Sequence, residues 1–183
     1  MPCRSNRLTA LQRHEFHKAN TMDDVARCAD LLYTEARLID CKAWDDWLAL
    51  YLSEAEFWIP AWESEHSLIT DPHNEISLIY YPDRSGLEDR VFRLRTGMSS
   101  ASVPLPRTSH LVGNVQASRQ ANGDFAVNAA WQVTYFKHKQ THFFAGQYEY
   151  LLRPQADGSL RIAKKKVIVI NDLIPQVLDF YHV

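Results

Sequence analysis

From residue 107 onward the chain reads as four long strands, over residues 107–121, 124–138, 141–153 and 160–171. Apolar and polar side chains alternate there with the period of two expected of a sheet buried on one face. Asn122-Gly123 is a strong hairpin signal, Asp157-Gly158 marks another turn, and Lys137 to Gln140 form a polar connection between the middle strands. Strands this long, joined this tightly, fold into an antiparallel meander. The apolar face of such a sheet has to be covered by the rest of the chain.

The covering elements come first in the sequence. Thr21-Met22-Asp23-Asp24 is a helix start, with a capping hydroxyl and two carboxylates at the positive end of the helix dipole. Val25, Ala29, Leu32, Ala36 and Ile39 then recur at helical spacing through Asp40. Trp44, Trp47, Leu48 and Tyr51 fall at i, i+3, i+4 and i+7, which predicts a second short helix with an aromatic stripe for the core. Phe57-Trp58-Ile59 reads as a short strand closed by Pro60, and Glu75 to Tyr81 as a piece either extended or helical. Gly86 to Thr96 returns to helical spacing through Leu87, Val91 and Leu94, with Arg90, Arg93 and Arg95 elsewhere around the helix. Helices followed by a long, mostly antiparallel sheet make an α+β pattern. The order suggests a curved sheet wrapped around helices, as in the nuclear-transport-factor-2-like (NTF2-like) cone. One such domain is expected over residues 21–183, preceded by a flexible N-terminal arm, residues 1–20.

Composition narrows the function. With 183 residues, 46% hydrophobic and 23% charged, the chain has the make-up of one soluble globular domain. Five tryptophans and an 11% aromatic share favour a large core or extensive subunit contacts. A net charge of -2 gives no general attraction to nucleic acid or anionic membrane. The run Lys164-Lys165-Lys166 is too short to alter that and is expected on a solvated or interface face. Three widely spaced cysteines, Cys3, Cys28 and Cys41, argue against a disulfide framework. No stretch is apolar over the ~18–20 residues that a membrane span needs, and Met1 to Asn20 lacks a hydrophobic segment of the secretory type. The expected setting is a reducing cytoplasm.

Candidate chemistry is sparse. His14-Glu15-Phe16-His17 spaces its histidines at i, i+3, whereas a zincin helix needs i, i+4 so that both rings meet one metal. His138 and His142 straddle a turn and have no evident third ligand, and Asp71-Pro72-His73 reads as turn chemistry. A Rieske cluster requires two cysteines and two histidines, and no cysteine here is followed two or three places later by histidine. There is no P-loop, dinucleotide-binding glycine fingerprint or Gly-x-Ser-x-Gly elbow. The segment Pro104 to Val115 remains. On a regular strand His110 and Asn114 share a face with Thr108, Val112 and Gln116, while Arg107 points the other way unless a bulge intervenes. Such a stripe lines a pocket mouth, bonds another subunit, or satisfies polar groups within its own sheet. No carboxylate adjacent in sequence orients the histidine, which favours interface or internal hydrogen bonding over catalysis.

Several segments in order resemble the small (β) subunit of bacterial aromatic-ring-hydroxylating dioxygenases, from about Met22 to Val183. They are Glu35-Ala36-Arg37-Leu38-Ile39-Asp40 with Trp44 and Trp47-Leu48-Ala49-Leu50-Tyr51, then Phe57-Trp58-Ile59-Pro60, then Asp89-Arg90-Val91-Phe92-Arg93-Leu94. Pro106-Arg107-Thr108 with His110-Leu111-Val112 and Asn114-Val115 is the most specific part. Arg161 to Ile168 and Asp179-Phe180-Tyr181-His182-Val183 complete the set. The tail from Asn171 is most similar to the benzoate, anthranilate and 2-halobenzoate branch. One departure is Gly146-Gln147-Tyr148, where many relatives carry arginine after the glycine.

The resemblance implies an NTF2-like cone that assembles with a larger α subunit, commonly as three α and three β chains. In that family the α subunit carries the Rieske [2Fe–2S] cluster and a mononuclear iron, and a reductase supplies electrons from NADH to the assembled oxygenase. Both atoms of dioxygen then enter the aromatic ring. The β subunit binds no cofactor or metal of its own, is mainly structural, and in some members influences substrate preference. On that reading no residue here is catalytic, and Arg90, Arg93, Arg107, His110 and Asn114 are candidates for subunit contacts. The rival is a free-standing enzyme of the same fold, similar to ketosteroid isomerase or scytalone dehydratase, with Asp40 and His110 moving protons. A third reading is a noncatalytic small-molecule binding module. The cone interior discriminates: Trp131, Tyr135, Phe144, Tyr148 and Tyr150 are expected to fill it, whereas an open pocket above ~300 Å³ containing His110 favours the rival.

Overall fold

The computed structural model describes residues 22–97, 102–171, 173–174 and 177–183. The expected flexible arm, the His14–His17 pattern and the cap at Thr21 lie outside these residues.

Helix α1 (Met22–Asp40) forms as its periodicity requires, and Asp24, Cys28, Leu32, Glu35 and Ile39 make its buried stripe. Asp24 in its first turn is ion-paired with Arg119 at 3.2 Å, so the carboxylate favoured by the helix dipole also ties the helix to the sheet. Helix α2 (Trp44–Ala49) buries Trp44 and Trp47. It stops short of the expected Tyr51, which opens strand β1 (Tyr51–Pro60) instead. The cause is long-range pairing: Leu50 accepts a backbone hydrogen bond from Ile162 at 2.8 Å and Tyr51 pairs with Ile162, drawing the chain into the sheet. Strand β1 is therefore much longer than Phe57-Trp58-Ile59. Its first half was hidden by the polar run Ser53-Glu54, which lies exposed.

A small hairpin of β2 (Trp62–Ser64) and β3 (Ser67–Leu68) follows. The piece of undecided type is strand β4 (Ser77–Tyr81), paired antiparallel with β1. Helix α3 (Ser85–Thr96) ends at Gly97, whose φ of 65° supplies the left-handed cap that glycine adopts without strain.

The four long strands are β5 (Arg107–Arg119), β6 (Phe125–Lys137), β7 (Gln140–Pro154) and β8 (Leu160–Val169), each ending within two residues of its expected limits. His138 and Lys139 form a two-residue turn between β6 and β7, both at positive φ (50° and 65°), the geometry of a type I′ hairpin. The sheet order is β4-β1-β8-β7-β6-β5. All pairs are antiparallel except β1 with β8, which run parallel. The last strand of the meander is thus central, with β1 returning to cover its free edge.

The inner face is filled by alternate residues. Phe125, Val127, Ala129, Trp131, Val133 and Tyr135 of β6 are all buried. The five aromatics expected to fill the cone are buried as well, Trp131 stacking on Tyr148 at 5.3 Å and Tyr135 on Phe144 at 5.6 Å. Gly146 sits opposite Trp131 and close to the Ile168 backbone, and a Cβ there would overlap the Ile168 carbonyl oxygen.

Candidate functional site

The cone interior holds a buried charge cluster that sequence reading missed. Lys165 is 1% exposed and its Nζ lies 2.9 Å from Glu35 Oε1. Tyr150 Oη donates to Glu35 Oε2 at 2.6 Å, and Tyr51 Oη donates to Oε1. The ammonium also lies 4.5 Å from the centre of the Tyr148 ring and 5.4 Å from that of Tyr150, a cation–π environment. Burial alone would raise the Glu35 carboxyl, but Lys165 and the two phenols outweigh it and hold the group below its usual value. Lys165 is drawn down by burial, with Glu35 opposing, and burial pushes the phenols of Tyr51, Tyr148 and Tyr150 well up.

The solvated face expected for Lys164-Lys165-Lys166 is therefore corrected for its middle member. Lys164 and Lys166 point out and pair with Glu56 (2.9 Å) and Glu149 (3.3 Å), while Lys165 points in. A signal existed: Lys165 is in phase with Val167 and Val169, both buried.

A second polar group lies where α1 ends against β5. His110 Nδ1 is 2.6 Å from Asp40 Oδ1, Thr108 Oγ1 donates to the same oxygen at 2.7 Å, and the His110 backbone N–H donates to Oδ2 at 2.9 Å. Burial would raise the Asp40 carboxyl, but these hydrogen bonds prevail and hold it below its usual value. An ionised carboxylate only accepts, so Nδ1 carries the proton and Nε2 is turned away from Asp40. The His110 side chain is 1% exposed, and Nε2 meets no hydrogen-bond partner among the described residues.

His110 and Asn114 do not share a face. The β5–β6 register slips by one residue between Gly113 and Gln116, and Asn114 takes φ 53°. This bulge leaves Thr108, His110 and Val112 toward the helices and turns Asn114 and Gln116 outward. Asparagine tolerates the left-handed conformation better than most residues, which is why it can occupy the bulge. Arg107 also faces outward, its guanidinium 4.4 Å from the centre of the Phe136 ring. Arg90 binds Asp179 through both nitrogens of its fork, in a contact within the chain. Arg93 is exposed on α3 beside exposed Phe92.

The outer face of the sheet exposes a few large apolar side chains among polar ones. Phe143, 64% exposed, lies opposite Thr134, two residues along β6 from exposed Phe136, while Leu111, also 64% exposed, lies opposite Gln132, and exposed Ile170 follows the end of β8. Surface clefts of about 340, 300 and 480 Å³ lie elsewhere: beside Arg27 and Leu160, over Ala126 and Lys164, and at Arg119 and Arg153. His110 lines none of these three. No three His, Cys, Asp or Glu side chains converge as a metal site among the described residues; His142 instead stacks on Tyr135 at 5.1 Å.

Residues 34–176 match the family model described as ring hydroxylating beta subunit. The chain is 44% identical over 152 residues to the 2-halobenzoate 1,2-dioxygenase small subunit of Burkholderia cepacia, covering 83% of this chain and 92% of that one. It is 43% identical over 155 residues to the anthranilate 1,2-dioxygenase small subunit of Acinetobacter baylyi, covering 85% and 94%. The crystal structure of the beta subunit of benzoate 1,2-dioxygenase from Burkholderia mallei superposes with a TM-score of 0.71 at 37% identity, over 89% of this chain and 97% of that one.

Proposed function

Because the chain belongs to the ring hydroxylating beta subunit family, and is the small subunit of a ring-hydroxylating dioxygenase, we propose that its enzyme acts on an aromatic carboxylic acid and that its own part is to hold α subunits in place. The substrate class is supported by the relatives matched, which are named for 2-halobenzoate, anthranilate and benzoate. In this reading three α and three β chains form the oxygenase, and a reductase passes electrons only to the assembled enzyme. The Rieske cluster and mononuclear iron belong to the α chains. Among the described residues no three metal-binding side chains converge.

The observation that carries the structural role is the outer sheet face. It is long, and among polar residues it exposes Leu111, Phe136 and Phe143, with Arg107 beside Phe136 and Asn114 at the β5 bulge. Exposed apolar clusters of this kind mark protein contacts. Arg93 with Phe92 on α3 is a second candidate contact. Arg90 and His110 are engaged inside the chain, so their part in assembly is indirect: they hold the tail and β5 in shape. Interfaces of obligate oligomers often bury on the order of 2,000–5,000 Å², which the long sheet can supply in part.

Coexpression with the α chain of the same enzyme tests the reading. The unaltered chain should copurify with it as a stoichiometric, iron-containing complex. Leu111→Asp with Phe143→Asp should leave the β chain folded and abolish that complex. A folded β chain with no affinity for the α chain refutes the subunit role, and a double variant that still assembles normally refutes the outer face as the contact.

A further inference from the structure

The last residues of the chain are packed inside its own cone. Phe180, Tyr181, His182 and Val183 are all buried, at 2% exposure or less. The Phe180 ring stacks on the Trp47 indole at 4.4 Å with 13° between the planes, and it meets Trp44 edge-on at 5.5 Å. On the opposite side His182 lies 4.8 Å from the Tyr135 ring and 6.1 Å from Phe144. The turn therefore fills the space between α2 and the inner face of β6 and β7. It is held there by a capping box in which Asp179 and His182 bond each other's backbone, by the Ser102–Tyr181 hydroxyl contact at 3.0 Å, and by the Arg90–Asp179 fork from α3.

The wall around the turn carries polar atoms that the turn does not use. His110 Nε2, Tyr135 Oη and Trp47 Nε1 are buried and have no hydrogen-bond partner among the described residues. Thr108 pairs with Tyr135 across β5 and β6, and His110 is the next inward residue on β5, so the imidazole and the phenol belong to one part of the wall. Asp40 fixes the imidazole so that Nε2 is directed away from the carboxylate. Buried polar atoms without partners are rare in folded proteins, and several around one aromatic slot call for an explanation.

We propose that the cone contains a latent binding chamber for small, neutral, planar aromatic molecules that carry a hydroxyl or N–H, and that the Phe180–His182 turn, latched by Arg90 and Asp179, occupies it in place of a ligand. Trp44 and Trp47 would take the ring, and His110 Nε2 with Tyr135 Oη the polar substituent. A neutral molecule suits the chamber because an aromatic carboxylate would have to leave its water.

Phenol and indole are the probes, titrated into the full-length chain and followed by calorimetry and by the rise in Tm. Arg90→Ala opens the latch without touching the slot, and Phe180→Ala empties the slot. Both variants should bind phenol at least tenfold more tightly than the unaltered chain and gain Tm on saturation. Adding Tyr135→Phe to Phe180→Ala should lower phenol affinity several-fold while leaving affinity for benzene unchanged. If Phe180→Ala does not fold, Phe180→Leu replaces it with the same expected direction. Cooperatively folded variants that bind phenol and indole no better than the unaltered chain overturn the proposal. So does an unaltered chain that already binds as tightly as the variants, since the turn would then not be the occupant.

Discussion

Lys165→Met leaves Glu35 buried with its cation removed, while the two tyrosine hydroxyls still point at it. The side chain removed is 2% exposed and its ammonium lies 2.9 Å from the carboxylate. Breaking a buried pair from one side costs ~3–5 kcal/mol, because the surviving charge has neither water nor a partner. That is a large share of the ~5–15 kcal/mol by which such domains are stable. With a urea m-value of about 2–3 kcal/mol/M, the midpoint should fall by ~1–2.5 M.

The pH dependence distinguishes this cause from lost packing. In the unaltered chain the Glu35 carboxyl is held below its ordinary value of 4.5. Its contribution is complete above that value and is lost as pH falls through the lower, folded-state value. In Lys165→Met burial acts without Lys165, so the folded-state value moves up, and the variant regains stability as Glu35 takes a proton. The deficit should be greatest at pH 7–8 and shrink toward pH 5. Urea unfolding followed by tryptophan fluorescence at both ends of that range measures it. The double variant Glu35→Gln with Lys165→Met, which removes both charges and keeps an acceptor for the phenols, should recover part of the loss. A deficit below ~1 kcal/mol at pH 7.5 refutes the reasoning. An equal deficit at both pH values refutes it too.

Burial first, then Lys137 and His110, pushes His182 from its ordinary 6.5 down to about 3, in keeping with a ring whose Nδ1 accepts from the Asp179 N–H. This group's contribution is complete above pH 6.5 and is lost as pH falls toward 3, so replacing His182 with Asn should flatten stability against pH there by up to ~1.4 kcal/mol per unit. At the β5 bulge, with φ at 53°, Asn114→Val should cost ~1–2 kcal/mol, while Asn114→Gly should be nearly neutral in thermal unfolding. Gly146→Ala should lose ~2–3 kcal/mol, since the new methyl meets the Ile168 backbone rather than a movable side chain. An unchanged melting temperature would show that β7 and β8 separate freely there.

What the sequence determined by itself is whatever repeats over a few residues. The stripe of α1, the alternation of β5 to β8 and the turns at Gly123 and Gly158 were legible because each is written in adjacent side chains and needs no partner to be recognised. The family likeness was legible for the same reason, as short segments in order. Tertiary structure alone decided the rest. Tyr51 leaves its helical stripe because Ile162, far along the chain, pairs with it. Lys165 and Glu35 stand 130 residues apart, and only the parallel docking of β1 on β8 makes β8 central and closes the core around them. One inserted residue at Asn114 moves it away from the face of His110, because a slip of one reverses the sides of a strand. The tail shows no periodicity, and its place inside the cone follows from aromatic contacts with α2, β6 and β7. Local pattern shows which side chains want to be buried; what they are buried against is set by long-range pairing.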